Sequence, residues 1–420
     1  MSLEVDGIQP LNGVIKPASV NELSSILFEY DTAGLGVIPF GGGTRLEVGN
    51  TPKKFDIGID TTALSKMVSH NPADLTCTVE AGMDIANLQS ILDEHGQFLA
   101  IDAPLPGQAT VGGTIASLPP GYLRWQLGHP RDTVIGMEVL LANGTITKSG
   151  GQVVKNVSGY DMSRLHVGGF GTLGVITKVS FKLTPSPRKE ISLQMSFPDS
   201  VSAHEFGQSI YNSYMMPLSL ACTSGGLVSS DFNFSQESVC TIRLGGRERS
   251  CNRQVQIVTD LCANYGGYDV QRYEDLESRA IWDQIRDCTL SSDGDFSIIG
   301  RISIIPSKMQ ELEKTLIEGW NNELGRISLI SQPGYGTLIM LITGDQDSVN
   351  DEAGVKILKN IRQKVNSLDC SLTYERIPAE WKRFFNVWDT DYIDSMKQMD
   401  SLKKVYDPND TLNSGRFIFN

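Results

Sequence analysis

The stretch "VGGFGTLGVITKVSFKL" (residues 167–183) decides how this chain could hold a nucleotide. Its glycines have the G-x-G-x-x-G spacing of a dinucleotide-binding fingerprint, at Gly169, Gly171 and Gly174. That fingerprint requires a strand before the glycines and a helix after them, because the N-terminus of the helix presents free N–H groups to the pyrophosphate. The residues on either side therefore test the interpretation.

The flanking residues predict the opposite order of elements. Before the glycines, Asp161 is suited to cap a short helix. After them, alternate residues form one face of a predicted strand, namely Val175, Thr177, Val179, Phe181 and Leu183. Helix, turn and strand in this order argue against a Rossmann site, so a nucleotide must be bound in another way.

Length and charge narrow the class of protein. The 420 residues suffice for two or three domains with a sizeable core. A formal charge of −13 and a pI near 4.9 argue against nucleic acid or an anionic membrane as partner, since both select basic patches. Neither a run of about 18 apolar residues nor a signal-peptide start is present. The expected location is the cytoplasm, with any attachment to the inner membrane made through partner subunits.

Cysteine and histidine are sparse. The seven cysteines include no C-x-x-C pair, and none of the five histidines follows His204. This usage supports neither an iron–sulfur or zinc site nor a disulfide framework. We therefore expect no metal in this chain.

Local patterns predict mixed α and β structure. Ser19-x-x-Glu22 is a capping box that opens a helix, and short apolar runs before and after the triple glycine predict strands. Asn143-Gly144 lies between two apolar runs, which predicts a hairpin with a type I′ turn. The two prolines of "TPSPRKE" (184–190) predict a domain boundary, followed by a smaller α+β cap and a largely helical tail.

Three glycine-rich stretches in the first domain need an explanation. They are "PFGGGTR" (39–45), "PGQATVGGTIAS" (106–117) and "GGFGTLGVIT" (168–177). Glycines let backbone N–H groups approach an anion closely, so a concave run of amides can hold a pyrophosphate. The alternative is that the glycines only turn the chain. Three such stretches beside several hydroxyls favour a long dinucleotide that contacts all of them.

These motifs resemble a known family. Residues 13–185 look like the FAD-binding domain of the vanillyl-alcohol oxidase and p-cresol methylhydroxylase (PCMH) superfamily, and most closely like the FAD-binding subunits of bacterial glycolate oxidases. The resemblance rests on "VIPFGGGTRLEVG", "DLTCTVEAGMDIANLQSILDEHGQFLAID", "ATVGGTIAS", "RDTVIGMEVLLANGTITKSGGQVVKNVSGYDMSRLHVGGFGTLGVITKVSFKL" and "YDPNDTLNSGRF".

The resemblance implies an α+β fold in three parts. A PCMH-type FAD-binding domain of two subdomains would span residues 1–187, and a cap or substrate domain residues 188–375. Residues 376–420 would return to pack on the FAD-binding domain. The cap matches the family far more loosely than the first domain does.

The resemblance also implies a set of cofactor contacts. The loop 41–43 would hold the pyrophosphate, and histidine-linked relatives carry histidine where this chain has Thr44, so FAD is expected to be non-covalent. The residues expected to bind it are Pro39, Gly41, Gly42, Gly43, Thr44, Arg45, Pro106, Thr110, Gly112, Gly113, Ser117, Gly171, Ile176, Asn413 and Arg416. The G-x-G-x-x-G spacing would then be coincidental, in a turn that contacts the flavin.

The substrate side is less defined. Related 2-hydroxy-acid dehydrogenases have a histidine-containing motif where this chain reads "SQPGYGTLIML" (331–341), so no catalytic base can be named. Arg286 and Arg301 are the remaining candidates to anchor a carboxylate, because a guanidinium can bind one in bidentate fashion. The alternative for each arginine is an ordinary ion pair.

Several functions remain open at this point. The first is a flavoenzyme subunit that oxidises a small 2-hydroxy acid, with a paralogous FAD-containing catalytic subunit and an iron–sulfur subunit as partners. The second is a non-catalytic flavin scaffold or electron-relay subunit. A D-lactate dehydrogenase-like enzyme acting alone and a UDP-sugar reductase of cell-wall synthesis are further alternatives.

Overall fold

The structure is a computed structural model of the 420-residue chain. It describes residues 3–152, 160–225, 228–229, 232–233, 238–289, 296–320, 324–344, 349–389 and 393–417. The chain forms two compact units. Unit 1 comprises Met1–Pro119, His129–Ser186 and Trp388–Asn420, and unit 2 comprises Pro120–Gly128 and Pro187–Val387.

Helices and strands alternate along the chain. The helices are α1 Val20–Thr32, α2 Ile85–Asp93, α3 Val111–Ser117, α4 Arg124–Leu127, α5 Ser200–Tyr211, α6 Glu248–Asn264, α7 Asp275–Asp287, α8 Met309–Glu318, α9 Asp351–Asn366 and α10 Ile393–Tyr406. The strands of unit 1 are β1 Val14–Ile15, β2 Val37–Phe40, β3 Ile57–Asp60, β4 Met67–Asn71, β5 Thr76–Glu80, β6 Gln97–Phe98, β7 Val134–Leu140, β8 Ile146–Gly150, β9 Val175–Lys182 and β10 Thr184–Pro185. Those of unit 2 are β11 Lys189–Phe197, β12 Ser219–Ser224, β13 Val228–Ser229, β14 Phe232–Asn233, β15 Ser238–Gly246, β16 Tyr268–Glu274, β17 Phe296–Ser303, β18 Arg326–Gln332, β19 Thr337–Gly344 and β20 Ser371–Arg376.

The capping box of α1 is confirmed. Ser19 Oγ accepts a hydrogen bond from Glu22 N at 3.2 Å, and the Glu22 carboxylate accepts one from Ala18 N at 2.8 Å. The carboxylate thus reaches one residue further back than in the usual box. Leu23 and Leu27, four residues apart, are fully buried and direct α1 toward the core of unit 1.

Two main sheets build unit 1. The order β1-β3-β2 is parallel, and the order β4-β5-β9-β7-β8 is antiparallel. A 3₁₀ turn at Met162–Leu165 precedes the glycines of the opening stretch, and the central strand β9 follows them. The predicted order of helical turn, glycines and strand is confirmed, and burial of β9 on both faces explains its apolar side chains.

The turn after β7 differs from the prediction. Gly144 has a φ of +79°, whereas Asn143 has a negative φ, so the turn is not type I′. Gly144 N donates to Leu141 O, and Leu141 N donates to Thr145 O. These bonds define a type I turn followed by a left-handed glycine, the usual form of a three-residue loop.

The C-terminal segment adds to the edge of β2. Val37 N donates to Thr411 O at 2.7 Å, and Asn413 N donates to Val37 O at 2.9 Å. This places Leu412 parallel to Val37, fully buried beside the strand that leads into the triple glycine. The backbone after α10 is therefore part of the framework of unit 1.

The tail is less helical than the sequence suggests. Trp381–Arg383 is only a 3₁₀ turn, and residues 390–392 lie outside the described part of the chain. Trp381 is buried against Gly354 of α9, where a Cβ would lie 2.2 Å from the indole. This packing in unit 2, with Tyr374 N of β20 donating to Val387 O, accompanies the mainly irregular path of residues 377–387.

Unit 2 is built on one antiparallel sheet. Its order is β16-β11-β15-β12-β18-β19-β17-β20. One face carries α5 and α6, with Phe206 and Cys262 in the buried cluster. The other face carries α7 and Tyr122, with Trp282 and Tyr122 packed together at 5.7 Å between ring centroids. Every helix in the described ranges is too short or too polar to span a bilayer.

A buried acid and a buried histidine face each other between α5 and α8. His204 Nδ1 lies 3.9 Å from Glu313 Oε1, and both side chains are about 5% exposed. Burial raises the pKa of Glu313 to about 7, a hydrogen bond with Ser331 opposing the shift, and burial lowers the pKa of His204 to about 4. Both groups are therefore neutral in mildly acidic solution.

We expect Glu313→Gln to stabilise the protein in alkaline but not in acidic solution. A carboxyl whose pKa is raised on folding lowers the free energy of unfolding only where it ionises. The destabilisation is absent below pH 4.5, the ordinary pKa, and complete above about pH 7, the pKa in the folded protein. The loss at pH 8 corresponds to about 3 kcal/mol. Thermal unfolding at pH 4.5 and pH 8 should show a raised melting temperature at pH 8 alone. Glu311→Gln, an exposed position on α8, is the control, and equal shifts at both pH values would contradict the prediction.

Candidate functional site

A groove of about 570 Å³ in unit 1 gathers residues from all three glycine-rich stretches. A second groove of about 400 Å³ adjoins it, and the two share Pro39, Phe40, Gly41, Gly113, Ala116 and Phe170. We call the two grooves together the glycine groove.

The triple glycine lies at the end of β2, where the chain turns against the second stretch. A Cβ on Gly42 would lie 1.7 Å from the carbonyl oxygen of Gln108, and one on Gly41 would lie 2.0 Å from Thr110 Oγ1. The left-handed conformation belongs to the third glycine, Gly43, with φ +74°. Thus two glycines are required by close packing and one by its φ.

The second stretch contributes the short helix α3. Thr110 is its N-cap, and its Oγ1 accepts a hydrogen bond from Gly113 N at 3.3 Å. Gly112 packs against Ala81 of unit 1, where a Cβ would lie 2.8 Å away. Gly113 and Ser117 therefore line the groove without large side chains above them.

The third stretch closes the adjoining groove. Phe170 has a φ of +51° and Gly171 a φ of +64°. Asn413 Nδ2 donates to Phe170 O at 2.7 Å, which ties this turn to the C-terminal segment. Gly171 and Ile176 both line the groove beside Pro39.

Arg416 supplies buried positive charge to the glycine groove. Its Nη2 donates to Leu46 O and Val48 O at 2.5 and 2.7 Å. Among the described residues its Nη1 is buried and has no hydrogen-bond partner. Burial lowers the pKa of Arg416 to about 10, which leaves it charged at neutral pH. A buried cationic donor beside a glycine cradle fits an anionic cofactor such as FAD.

The structure brings together all but one of the predicted cofactor residues. Pro106 is not among the residues that line the glycine groove, and its carbonyl accepts from Ala86 N instead. Sequence reasoning missed several residues that do line it, namely Ile38, Phe40, Leu46, Thr61, Ala116 and Phe170. Phe40 and Phe170 each adjoin a glycine, whereas Thr61 and Ala116 do not. Contact of each residue with FAD stays a prediction.

Two histidines of unit 1 have structural surroundings. Burial lowers the pKa of His166 to about 4, and its ring packs on Tyr406 at 6.3 Å between centroids. His129 Nδ1 accepts a hydrogen bond from Arg131 N. Both arrangements agree with a structural role for these histidines.

The predicted carboxylate anchors of unit 2 are both ion-paired. Arg286 binds Asp283 at 2.6 Å and Asp287 at 2.8 Å, and Arg301 binds the buried Glu375 at 3.0 Å. Two carboxylates already neutralise Arg286, which weakens the argument that it anchors a substrate carboxylate. A role of either arginine toward substrate stays a prediction.

The turn at 332–335 has no imidazole to offer as a base. Tyr335 N donates to Gln332 O, and the Tyr335 hydroxyl donates to the carbonyl of Arg124. Gly334 lies against Trp125, where a Cβ would be 2.3 Å from the indole. Within the described ranges, no group of three or more His, Cys, Asp or Glu side chains could hold a metal ion, and all seven cysteines are buried and free.

Comparison with known proteins assigns the cofactor of unit 1. Residues 11–150 match the model of a family described as FAD binding domain. The chain is 27% identical to a mitochondrial cytochrome-dependent D-lactate dehydrogenase of Arabidopsis thaliana over 96% of this chain and 73% of that protein. It is 26% identical to the glycolate oxidase subunit GlcD of Bacillus subtilis over 97% of this chain and 89% of that protein.

The fold is also that of a solved flavoprotein. p-Cresol methylhydroxylase with substrate bound superposes with a TM-score of 0.70 at 15% identity, over 96% of this chain and 88% of that one. The prediction of an α+β, PCMH-type fold is thus confirmed. Residues 11–150 thus match an FAD-binding domain, and the chain that contains them has the PCMH-type fold.

Proposed function

We propose that this chain is the FAD-binding subunit of an oxidoreductase that oxidises a small 2-hydroxy acid such as glycolate. The observation that carries the proposal is the glycine groove, where the loop 41–43 and Arg416 meet within an FAD-binding domain. The substrate class comes from similarity along nearly the whole chain to a D-lactate dehydrogenase and a glycolate oxidase subunit.

In this proposal different residues of the glycine groove bind different parts of the cofactor. The loop 41–43 would hold the pyrophosphate, and Arg416 would supply positive charge to the same groove. Gly113 and Ser117 would line the part of the groove that leads from the pyrophosphate to the flavin, and Gly171 would pack along the flavin. When bound, FAD supplies the acceptor for a hydride from the α-carbon of the hydroxy acid.

We expect FAD to leave the protein when it is denatured by acid or heat. Thr44 follows the triple glycine, and a hydroxyl there offers no imidazole for a link to the flavin. After the denatured protein has been precipitated, the absorbance of the supernatant should account for all of the flavin. Fluorescence that migrates with the polypeptide on a denaturing gel would show a covalent bond instead.

We further propose that electrons leave through an iron–sulfur subunit, beside a paralogous FAD-containing catalytic subunit. The cysteine spacing of this chain does not suit a cluster, so a partner has to supply one. The word "subunit" in the name of the Bacillus relative supports an assembly. Location in the cytoplasm, with attachment to the inner membrane through partners, stays a prediction.

A second candidate function is a flavin scaffold or electron relay without substrate chemistry. It is favoured by the turn at 332–335, where Gln332, Pro333 and Tyr335 replace an imidazole base. The two functions differ in where glycolate is oxidised.

We expect glycolate to reduce the flavin of the isolated chain slowly or not at all, and that of the assembled complex readily. The isolated chain should bind FAD, but it has no imidazole base in the turn at 332–335 to take the proton of the substrate hydroxyl. Anaerobic stopped-flow bleaching of the flavin measures both rates. Rapid bleaching of the isolated chain, lost in Arg301→Ala or Arg286→Ala, would make this chain the catalytic unit. Otherwise these substitutions should affect turnover less than disruption of the loop 41–43 does.

A further inference from the structure

Two cysteines face each other across neighbouring strands of the unit 2 sheet. Cys222 on β12 and Cys240 on β15 are directly opposite in the antiparallel register. Directly opposite residues of an antiparallel pair have their side chains on the same face and their Cα atoms about 4.5 or 5.5 Å apart. Both spacings lie within the range of about 4.4–6.8 Å that a disulfide bond requires. The backbone therefore allows these two cysteines to be joined while the strands keep their register.

The two side chains are also directed at each other. Cys222 Sγ lies 3.1 Å from Cys240 Sγ, about 1 Å beyond the length of an S–S bond. Cys222 Sγ is also 3.5 Å from the carbonyl oxygen of Ala203 on α5, so the Cys222 thiol has two acceptors within reach. Both cysteines are buried, and Cys240 is fully so. A small movement of the sulfur atoms alone would bring them to bonding distance.

The alternative is that the two cysteines only fill the core, as small apolar residues often do. Two cysteines of α6 in the same buried cluster fit that description. Cys251 Sγ donates to Lys189 O at 3.7 Å, and Cys262 Sγ packs over Gly267, where a Cβ would lie 2.2 Å from the sulfur. Each of these sulfurs thus packs against backbone. Direct contact of sulfur with sulfur distinguishes the pair on β12 and β15.

The packing above the pair has room for a disulfide bond. Gly207 brings α5 close to the sheet here, and a Cβ on it would lie 3.4 Å from Cys222 Sγ. Ala203 and Phe206 of α5 belong to the same buried cluster. Formation of the bond draws the two sulfurs together, so the disulfide takes less space than the two thiols. It would therefore leave α5 in place.

Burial controls when the pair can react. The hydrogen bond with Cys240, and then burial, raise the pKa of the Cys222 thiol well above its ordinary value. Because the thiolate is the reactive form, attack on an oxidant requires α5 to move away and admit water. Native proteins undergo local openings of this kind. We therefore expect slow oxidation of the closed protein and faster oxidation in mild denaturant.

We propose that Cys222 and Cys240 are an oxidation site of unit 2, which hydrogen peroxide converts to a disulfide bond. One cysteine, as thiolate, attacks the peroxide, breaks its O–O bond and forms a sulfenic acid, and the released hydroxide takes up the thiol proton as water. The thiol of the other cysteine attacks the sulfenic sulfur, forms the S–S bond and expels a second water. Two electrons thus pass from the thiols to the peroxide, and a thiol reductant reverses the reaction. The inference is independent of the proposed function, because it involves residues of unit 2 alone.

The bond would stabilise unit 2. It would close a loop between residues 18 positions apart in the chain. Such a crosslink stabilises the native state mainly by restricting the unfolded chain. Oxidation should therefore raise the melting temperature by about 5 °C or more.

The test treats the full-length FAD-loaded chain with hydrogen peroxide, in buffer and in urea well below the unfolding transition. The remaining thiols are then alkylated under denaturing conditions and counted by intact mass, and peptide mapping locates the bond. The oxidised protein should carry two labels fewer than the seven of the reduced protein, with Cys222 and Cys240 in one crosslinked product. Urea should speed the reaction, and dithiothreitol should restore all seven labels.

Cys222→Ala and Cys240→Ala each remove one partner of the bond. Each variant is compared with itself before and after peroxide, so that any loss of stability from the smaller side chain cancels. Neither should form an intramolecular disulfide or gain melting temperature on oxidation. Cys262→Ala is the matched control, because Cys262 lies in the same buried cluster, and it should behave on oxidation as the wild type does.

The label count in the wild type decides the proposal even if a variant does not fold. Seven labels after peroxide treatment throughout the urea series would overturn it, and so would a disulfide that includes any other cysteine. Oxidation of Cys222 or Cys240 to sulfinic acid, seen as a gain of two oxygen atoms in place of the crosslink, would also refute it. A gain in melting temperature that persists in Cys240→Ala would show that the stabilisation has another source.

Discussion

Gly42→Val should abolish FAD retention while leaving most of the protein folded. A side chain at this position would meet the Gln108 carbonyl at 1.7 Å, so the loop 41–43 would have to move away from the stretch 106–117. That movement would open the glycine groove where we place the pyrophosphate. The ratio of flavin to protein absorbance after gel filtration measures the loss, and circular dichroism monitors folding.

The matched control is a glycine in the facing loop that has room for a side chain. Gly107 is exposed, and a Cβ there would meet nothing within 4 Å. Gly107→Val should therefore keep its flavin. A folded Gly42→Val protein with the flavin content of wild type would mean that the pyrophosphate is bound elsewhere.

Asp407→Asn should destabilise unit 1 by about 3 kcal/mol, as expected when a buried ion pair loses one charge. Asp407 is almost fully buried and accepts hydrogen bonds from Lys403 Nζ, Thr411 N and Leu412 N at 2.5, 2.9 and 2.7 Å. With the neutral amide, Lys403 would keep the carbonyls of Thr172 and Leu412, but the nearest carboxylate would be the partly exposed Asp410, 3.3 Å away. Denaturant unfolding measures the loss, and FAD affinity should fall with it because the segment 411–416 would loosen.

The same helix offers a control pair with the same spacing. Lys404 and Asp400 are also four residues apart on α10 and are paired in the structure, but the lysine is 74% exposed. Asp400→Asn should change stability by less than about 0.5 kcal/mol. If the two variants lost the same stability, burial of the Lys403 pair would not be what anchors the C-terminal segment.

Sequence patterns predicted the glycine groove well because each of its parts is local. A triple glycine, the stretch 106–117 and the turn before β9 can each be recognised alone, and the PCMH resemblance joined them around one cofactor. The prediction of FAD is confirmed by the family match. The reason for each glycine could not be predicted, because spacing cannot tell Gly43, which is left-handed, from Gly42, which is tightly packed.

Features that depend on distant contacts could not be predicted. Residues 120–128 belong to unit 2 because Tyr122 packs on Trp282, and no local signal marks that segment as separate from its neighbours. Gln332 was interpreted only as a missing histidine. Its burial, with Nε2 unpaired among the described residues, depends on the register of β18, which a single sequence does not reveal.

The discontinuity of unit 1 has a consequence for how the protein is made. Val37 on β2 is synthesised roughly 20–75 s before its neighbour Leu412 at ordinary elongation rates. Until then one edge of β2 is unpaired on that side, and Arg416 is absent from the glycine groove. Residues 187–387, by contrast, emerge as one stretch and can fold earlier. The glycine groove is thus complete only after the residues of unit 2 have been synthesised.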